Sequence, residues 1–337
     1  MSTLLLALVV SLFLAVSQQA AYAAAAAKKL VIAYAAMNAR VCPLWAPRER
    51  GFFSKYGFDA ENLFVRGAPT LVAAMASNEI EVGYTGGTAV IGAVASGSDL
   101  KVLSALTNRV TYDLVARPGI KSAEDLRGKK FGVQAIGGTV WMGAILALEH
   151  LGLDPERDKI SVIAAGDQTV LAQAVATGTI DATVLDGVQS RPLHAKGFPI
   201  LAELTKAHLP ILSSAIVARE SYVQKNPQIL EGVLRAVIEG AAFCLSPTQK
   251  PITLKILQKY LRISEKDAEE GYKDMVTGLD RKPYALAAGA TNVIRLMKRS
   301  NPKVENVKPE TLIDDRILKK IDQSGFIDEM LVKYGVK

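Results

Sequence analysis

"AMASNEIEVGYTGG" at residues 74–87 and "AVATGTIDATVLDG" at residues 174–187 align without a gap, one hundred positions apart. In both, small and apolar residues recur at helical spacing, Ala73, Met75 and Ala76 in one and Leu171, Val175 and Ala176 in the other. A turn follows at Ser77-Asn78 or Thr177-Gly178, then an apolar residue, an acid and a β-prone run closed by glycine. The order in each copy is helix, turn, buried strand, glycine loop. A period this long is too great for a solenoid and is about the size of a small domain. Because α/β units are common, two unrelated ones could look alike, so the repeat needs support from the rest of the chain.

That support lies on either side. "KLVIAYAA" is a short β-rich run that leaves through a loop at 37–43 toward a helix at 44–50, and "GFFSKYGFDAENLFV" leads into a second strand. "RGAPT" opens the helix of the first copy, and "DLKVLSALT" and "YDLVAR" are further strands. A second unit then starts at "SAEDLRGKKFGVQ", where a capping Ser122 precedes acids in the first turn of a helix, Gly128 stops that helix and a strand follows. A glycine pair feeds a long amphipathic helix from Thr139, "KISVIAAGDQ" is the next strand, and "FPILAEL" and "LPILSSAIVAR" follow the second copy. From Ser221 onward the pattern is helical. Two successive units of alternating strands and helices predict mostly parallel sheets covered by helices on both faces.

At 337 residues, 50% of them hydrophobic, the chain is long enough for one large core or two medium ones. "LLLALVVSLFLAV" at 4–16 has the length of a signal h-region and is short for a membrane span; small residues around Ala23 suit cleavage there. No Lys or Arg precedes that run, and an uncleaved anchor is the other reading. No Cys follows it to carry a lipid. The segment removed holds no charged side chain, so the exported chain keeps the formal charge of +7. Its Lys and Arg are scattered, without a basic block interleaved with aromatics, which argues against nucleic-acid binding. Cys42 and Cys244 either pair in an oxidising compartment or stand as two buried thiols, and their spacing does not decide between these.

"GFFSKYGFDAE", "EDLRGKKFGVQAIGGT", "LGLDPERDKISVIAAGDQ", "ATGTIDATVLDG" and "IVARESYVQKNPQILEGVLRA" resemble, in order and spacing, the motifs of periplasmic substrate-binding proteins of the nitrate, sulfonate and taurine ABC transporter type. These share a fold with the SsuA/THI5-like and NMT1/THI5-like proteins. The resemblance runs from Lys28 to about Ala242 and weakens after it. It implies an α/β, two-lobed periplasmic binding protein fold of type II, with two hinge crossings near 112–118 and 212–219 and a ligand held between the lobes. The implied organisation is a signal peptide at 1–23, lobe 1 at 28–113 completed by 216–337 with the C-terminal helices, and lobe 2 at 114–215. On this reading the two copies are equivalent pieces of two lobes, and their glycine loops face the cleft.

Ligands of open α/β sheets bind beyond the carboxyl ends of strands, where loops enter helix N-termini with unpaired N–H groups. Gly137-Gly138-Thr139 is the leading anion site, with Thr85-Gly86-Gly87 its counterpart in the first lobe and Gly67-Ala68 a less specific third. Turn and capping roles would use the same residues. Asn38 and Arg40 could fix a polar end of the ligand, Arg40 bidentately if it is not solvated. Asp167 suits capping, and Asp186 faces either the cleft or its own helix. Trp45, Tyr84 and Trp141 would cover an apolar ligand body or fill core.

His150, His194 and His208 stand in no metal spacing, and neither a Gly-x-Ser-x-Gly elbow nor a phosphate-binding Lys loop occurs. Relatives that make a thiamin pyrimidine precursor carry a Cys-rich motif, absent from this chain. The expectation is therefore a periplasmic, non-enzymatic monomer without cofactor or metal. It would capture a small anionic or zwitterionic molecule, sulfonate-, taurine- or nitrate-like or a pyrimidine precursor. It would deliver that ligand to a permease with a cytoplasmic ATPase. An exported sensor or scavenging protein would use the same cleft, and a precursor synthase is the remaining alternative.

Overall fold

In a computed structural model, residues 28–336 are described. The apolar run at 4–16 and the cleavage site expected near Ala23 lie outside the described residues. Ten strands follow one another among them: β1 Lys28–Tyr34, β2 Phe58–Phe64, β3 Val82–Thr85, β4 Leu100–Arg109, β5 Asp113–Ala116, β6 Lys130–Val133, β7 Ser161–Ala164, β8 Ala182–Leu185, β9 Ile200–Glu203 and β10 Pro210–Arg219. They form two sheets, ordered β2-β1-β3-β10-β4 and β7-β6-β8-β5-β9. In each sheet four strands run the same way and one, β10 or β5, runs against both its neighbours. The chain is an α/β protein of two lobes with helices on the sheet faces.

The repeat that opened the sequence is the same structure twice. Helix Ala68–Ala76, β3 and helix Gly87–Ala95 recur as helix Gln168–Ala176, β8 and helix Gly187–Ala195. The order of buried and exposed positions from 71 to 88 is repeated without change from 171 to 188. The turns match as well, with Asn78 and Gly178 both left-handed (φ 70° and 76°), a conformation that Asn reaches more readily than other side chains.

The lobes are joined by two passages, residues 110–112 between β4 and β5 and residues 208–209 ahead of β10. They run side by side: Val110 N–H donates to the Leu209 carbonyl at 2.9 Å. Both passages lie a few residues before the expected 112–118 and 212–219. The reason is that "YDLVAR" and "LPILSSAIVAR" are themselves the antiparallel strands. β10 begins early enough for Pro210 to pair with Arg109, which places Pro210 to Ala215 in the first sheet and not in the second lobe.

Beneath the first sheet, helix Cys42–Arg50 packs on helix Pro227–Leu245. Gly240 makes this approach possible, because a Cβ there would sit 2.5 Å from the Pro43 carbonyl oxygen and 2.7 Å from Pro47 Cδ. Trp45 is fully buried in the same layer, stacked on Tyr260 with centroids 4.7 Å apart. Burial of one large apolar side chain of this kind stabilises a fold by about 1.5–3 kcal/mol. Cys42 and Cys244 are buried free thiols here, with Sγ atoms 3.1 Å apart.

The C-terminal helices complete the first lobe. Helix Ala287–Met297 packs on β10 and helix Gly87–Ala95, while helix Glu265–Gly278 touches both the turn after β1 and helix Gly187–Ala195 of the second lobe. Among the described residues, no helix is long and apolar enough to cross a membrane.

Candidate functional site

The carboxyl ends of the two sheets' parallel strands face each other, and the loops leaving them build the site. After β1 the chain enters a 3-10 turn, Ala39–Val41. Extended Asn38 caps it, its Oδ1 accepting the Arg40 N–H at 3.1 Å. Arg40 is only 2% exposed, its carbonyl accepts the Tyr84 hydroxyl at 2.6 Å, and its guanidinium lies 5.0 Å from the centre of the Tyr112 ring.

Its counter-charge comes from the other lobe. Arg40 Nη1 lies 2.5 Å from Asp186 Oδ1, at the end of β8. Asp186 holds the N-cap position of helix Gly187–Ala195 but makes no capping hydrogen bond; its backbone N–H donates to Gln168 Oε1 at 2.9 Å. Apart from the Arg40 ion pair, neither Asp186 oxygen has a hydrogen-bond partner among the described residues. Burial holds the Asp186 carboxyl above its usual range, although Arg40 works against that. The same burial disfavours the Arg40 cation, yet Asp186 and Tyr112 more than reverse this, and Arg40 stays charged. Removing either partner would strand a buried charge.

Two cavities adjoin this pair. A small one of about 40 Å³ is lined by Thr85, Gly86, Ser213 and Ser214 of the first lobe and by Tyr112, Gln134, Gly138 and Thr139 from the other side. Two helix N-termini meet it: Gly86 precedes helix Gly87–Ala95, and Gly138 precedes helix Thr139–His150. N–H groups and dipoles at such ends favour negative charge. Gly86 permits the approach, since a Cβ there would overlap Thr139 Oγ1 and lie 3.1 Å from the Ser213 carbonyl oxygen. A larger cavity of about 370 Å³ opens beside Asp186, lined by Phe64, Arg66, Gln168, Gln189, Leu261 and Ile263 among others. Asn38 lines both. Thr85 Oγ1 and Gln168 Nε2, both buried, have no hydrogen-bond partner among the described residues.

Of the residues expected at the site, Asn38, Arg40, Ala68, Thr85, Gly86, Gly138 and Thr139 line the small cavity and Asp186 the large one. Gly67 (φ 90°) lies against Ala135 of the facing lobe. Gly87 starts its helix against Leu212, and Gly137 (φ 78°) shapes the turn before Thr139. Trp45 lies in the core of the first lobe. Trp141 lines an outer groove with Glu149, Leu153 and Arg299. Asp167 caps its helix through the Val170 N–H at 3.2 Å and also pairs with Arg66 across the mouth at 3.2 Å. Gln134, Gln168, Tyr112 and the Ser213-Ser214 pair went unanticipated. The serines carried a signal, two hydroxyls inside an otherwise apolar strand.

Further ion pairs span the lobes. Arg191 reaches Asp274 at 3.1 Å and Glu270 at 3.0 Å, Arg295 meets Glu149 at 2.6 Å, and Arg299 meets Asp154. Burial lifts Asp274 to about 6, Arg191 opposing and Asp186 adding to the rise. Gly187 N–H donates to Asp274. Among the described residues, no group of three or more His, Cys, Asp or Glu is placed to hold a metal ion.

Comparison with known proteins agrees with this architecture. The family description NMT1/THI5 like matches residues 38–250. A Brucella abortus protein, named only as a binding protein with no ligand stated, is 26% identical over 241 residues, covering 67% of this chain and 69% of that one. The crystal structure of the periplasmic aliphatic sulphonate binding protein SsuA from Escherichia coli superposes with a TM-score of 0.69 at 20% identity, covering 87% of this chain and 99% of that one. The periplasmic nitrate-binding protein NrtA from Synechocystis PCC 6803 gives 0.71 at 14% identity, covering 89% of each.

Proposed function

The chain belongs to the NMT1/THI5-like family, and on that premise we propose that it is the solute-binding component of an ABC importer. It is exported by its N-terminal signal, acts as a monomer in the periplasm and hands its ligand to a permease with a cytoplasmic ATPase. Its two lobes bend about the passages at 110–112 and 208–209 to enclose a small organic molecule. Among the described residues, no nucleophile–base pair adjoins either cavity.

The observation that carries the ligand class is the buried Arg40–Asp186 pair, set between two helix N-termini on one side and a larger, partly apolar cavity on the other. The anionic group belongs in the small cavity, where Arg40, the N-termini and the hydroxyls converge. SsuA and NrtA are named for anions, which supports that group. Taking Arg40 from Asp186 leaves the carboxylate buried and alone, so a ligand that also carries a cation replaces both halves of the pair. A zwitterion, with its amine at Asp186 and its body against Phe64, Leu261 and Ile263, fits better than a bare oxyanion.

Native mass spectrometry of the protein purified from its own compartment, followed by release of the bound molecule, tests this directly. A thermal-shift series with taurine, ethanesulfonate and ethylamine isolates the charge requirement. Stabilisation by taurine above both single-charge analogues supports the reading. A released ligand without an amine refutes the zwitterion, and a protein that binds nothing from the periplasm refutes the importer role.

A further inference from the structure

Cys42 and Cys244 are 202 residues apart in sequence, yet their Sγ atoms lie 3.1 Å from each other, closer than sulfurs in mere van der Waals contact. Both side chains are fully buried. Their proximity follows from backbone packing and is not an accident of two flexible side chains. Cys42 opens helix Cys42–Arg50, Cys244 lies in the last turn of helix Pro227–Leu245, and these helices touch at the Gly240 notch against Pro43 and Pro47. A glycine one turn before Cys244 lets the two helices approach closely enough for the sulfurs to meet. Two thiols so placed are available to each other and to little else.

We propose that Cys42 and Cys244 form a disulfide when the chain folds in an oxidising compartment, tying the first helix of the first lobe to the long helix that follows β10. The reaction is thiol–disulfide exchange with a small or protein disulfide, R–S–S–R. One cysteine thiolate attacks it, forming a mixed disulfide and releasing one R–S⁻. The second thiolate then attacks the protein sulfur of that mixed disulfide and expels the other R–S⁻. Two protons and two electrons leave the cysteines, and the donor ends as two R–SH. Burial raises the Cys244 thiol well above its ordinary pKa and disfavours the attacking thiolate, so exchange is fast only before the two helices seal. The link lies wholly within the first lobe and encloses both interlobe passages in its loop, so it leaves hinge bending free. It also anchors the helix that continues from the Arg40 turn.

The test refolds the denatured, reduced chain in a mixture of oxidised and reduced glutathione, then denatures it without reductant and alkylates it with iodoacetamide. The expected product is monomeric, lighter than the reduced chain by two hydrogen atoms, and takes up no alkyl group. Compared with protein refolded under reductant, it melts roughly 5 °C higher. Adding the same glutathione mixture to protein already folded in the reduced state yields the bridge only at the rate of unfolding. A refolded product that still takes up two alkyl groups overturns the proposal, as does a glutathione adduct or a covalent dimer. Cys42→Ala with Cys244→Ala serves as control: it abolishes any melting difference between the two refolding conditions. The mass of the wild-type chain decides the question even if that variant folds poorly. None of these readouts depends on the ligand or the importer role.

Discussion

In the proposed function, recognition rests on two single residues, Arg40 and Asp186. Asp186→Asn removes the charge an amine would meet but keeps the shape. A zwitterion should then lose about 10–100-fold in affinity, the worth of a hydrogen bond to a charged partner, while its amine-free analogue binds as well as before or better. Isothermal titration of both analogues to the two proteins checks this, and an equal loss for both would mean that Asp186 only positions Arg40. Asn38, Arg40 and Asp186 were legible in the sequence because polar groups after strands of an open sheet have few places to go but the cleft. Trp45 and Trp141 were not: an aromatic beside a loop looks the same whether it faces ligand or core, and neighbours such as Tyr260 are remote in sequence. The partners of Gln168 and Ser213 were hidden for the same reason.

Elements bring these residues together, and two contacts between them are open to test. Gly86→Ala puts a methyl group into Thr139 of the opposite lobe, so the helices can no longer meet end to end. We expect the fold to survive, affinity to fall at least about tenfold for lost contacts of 1.4 kcal/mol or more, and solution scattering to show a wider protein in the presence of ligand. Helix Glu265–Gly278 touches the second lobe through Asp274, held at about 6 by burial, above the ordinary aspartate value of 3.8. The folded state therefore keeps a proton that the unfolded chain releases, so this contribution to stability is present at low pH and is lost as pH rises from about 4 to about 6. Asp274→Asn should abolish that loss, worth about 2–3 kcal/mol, which denaturant titrations of both proteins at pH 4 and pH 7 will show. Parallel slopes with pH would place the titration elsewhere. The helices and strands were themselves legible, since caps, glycines and apolar periodicity are local signals. That the last strand before the helical region runs against its neighbours, between β3 and β4, was not, because strand order depends on residues a hundred positions away.

The whole molecule is two similar lobes held by one buried ion pair, the half-sheltered Arg191–Asp274 pair and several exposed ones. Exposed pairs contribute roughly 0–1 kcal/mol each and are screened by salt, whose Debye length falls to about 3 Å at 1 M. Without ligand, scattering should therefore show a larger radius in molar sodium chloride than in dilute buffer. An unchanged radius would mean that the sheltered contacts hold the lobes by themselves: Arg40 with Asp186, Gly86 with Thr139, and Gln134 Nε2 donating to the Ala35 carbonyl at 3.3 Å. The two-lobe plan was the most legible feature, since a gapless repeat a hundred residues long is hard to make by chance in adjoining units. The lobes' relation in space was not, because the contacts that set it, Arg191 with Asp274 and Arg295 with Glu149, join segments with no shared pattern.

The position of β10 also sets the order in which the chain can mature on leaving the ribosome. The second sheet is built from one continuous stretch, β5 to β9, and has all its strands once Glu203 has emerged. The first sheet has β3 and β4 from the start but lacks the strand that lies between them until Arg219 is made. Its inner edges stay unpaired through the synthesis of the entire second lobe. The lobe that begins the chain is thus the last to close, and on the proposed export that delay would hold the first lobe open while the second is still being made.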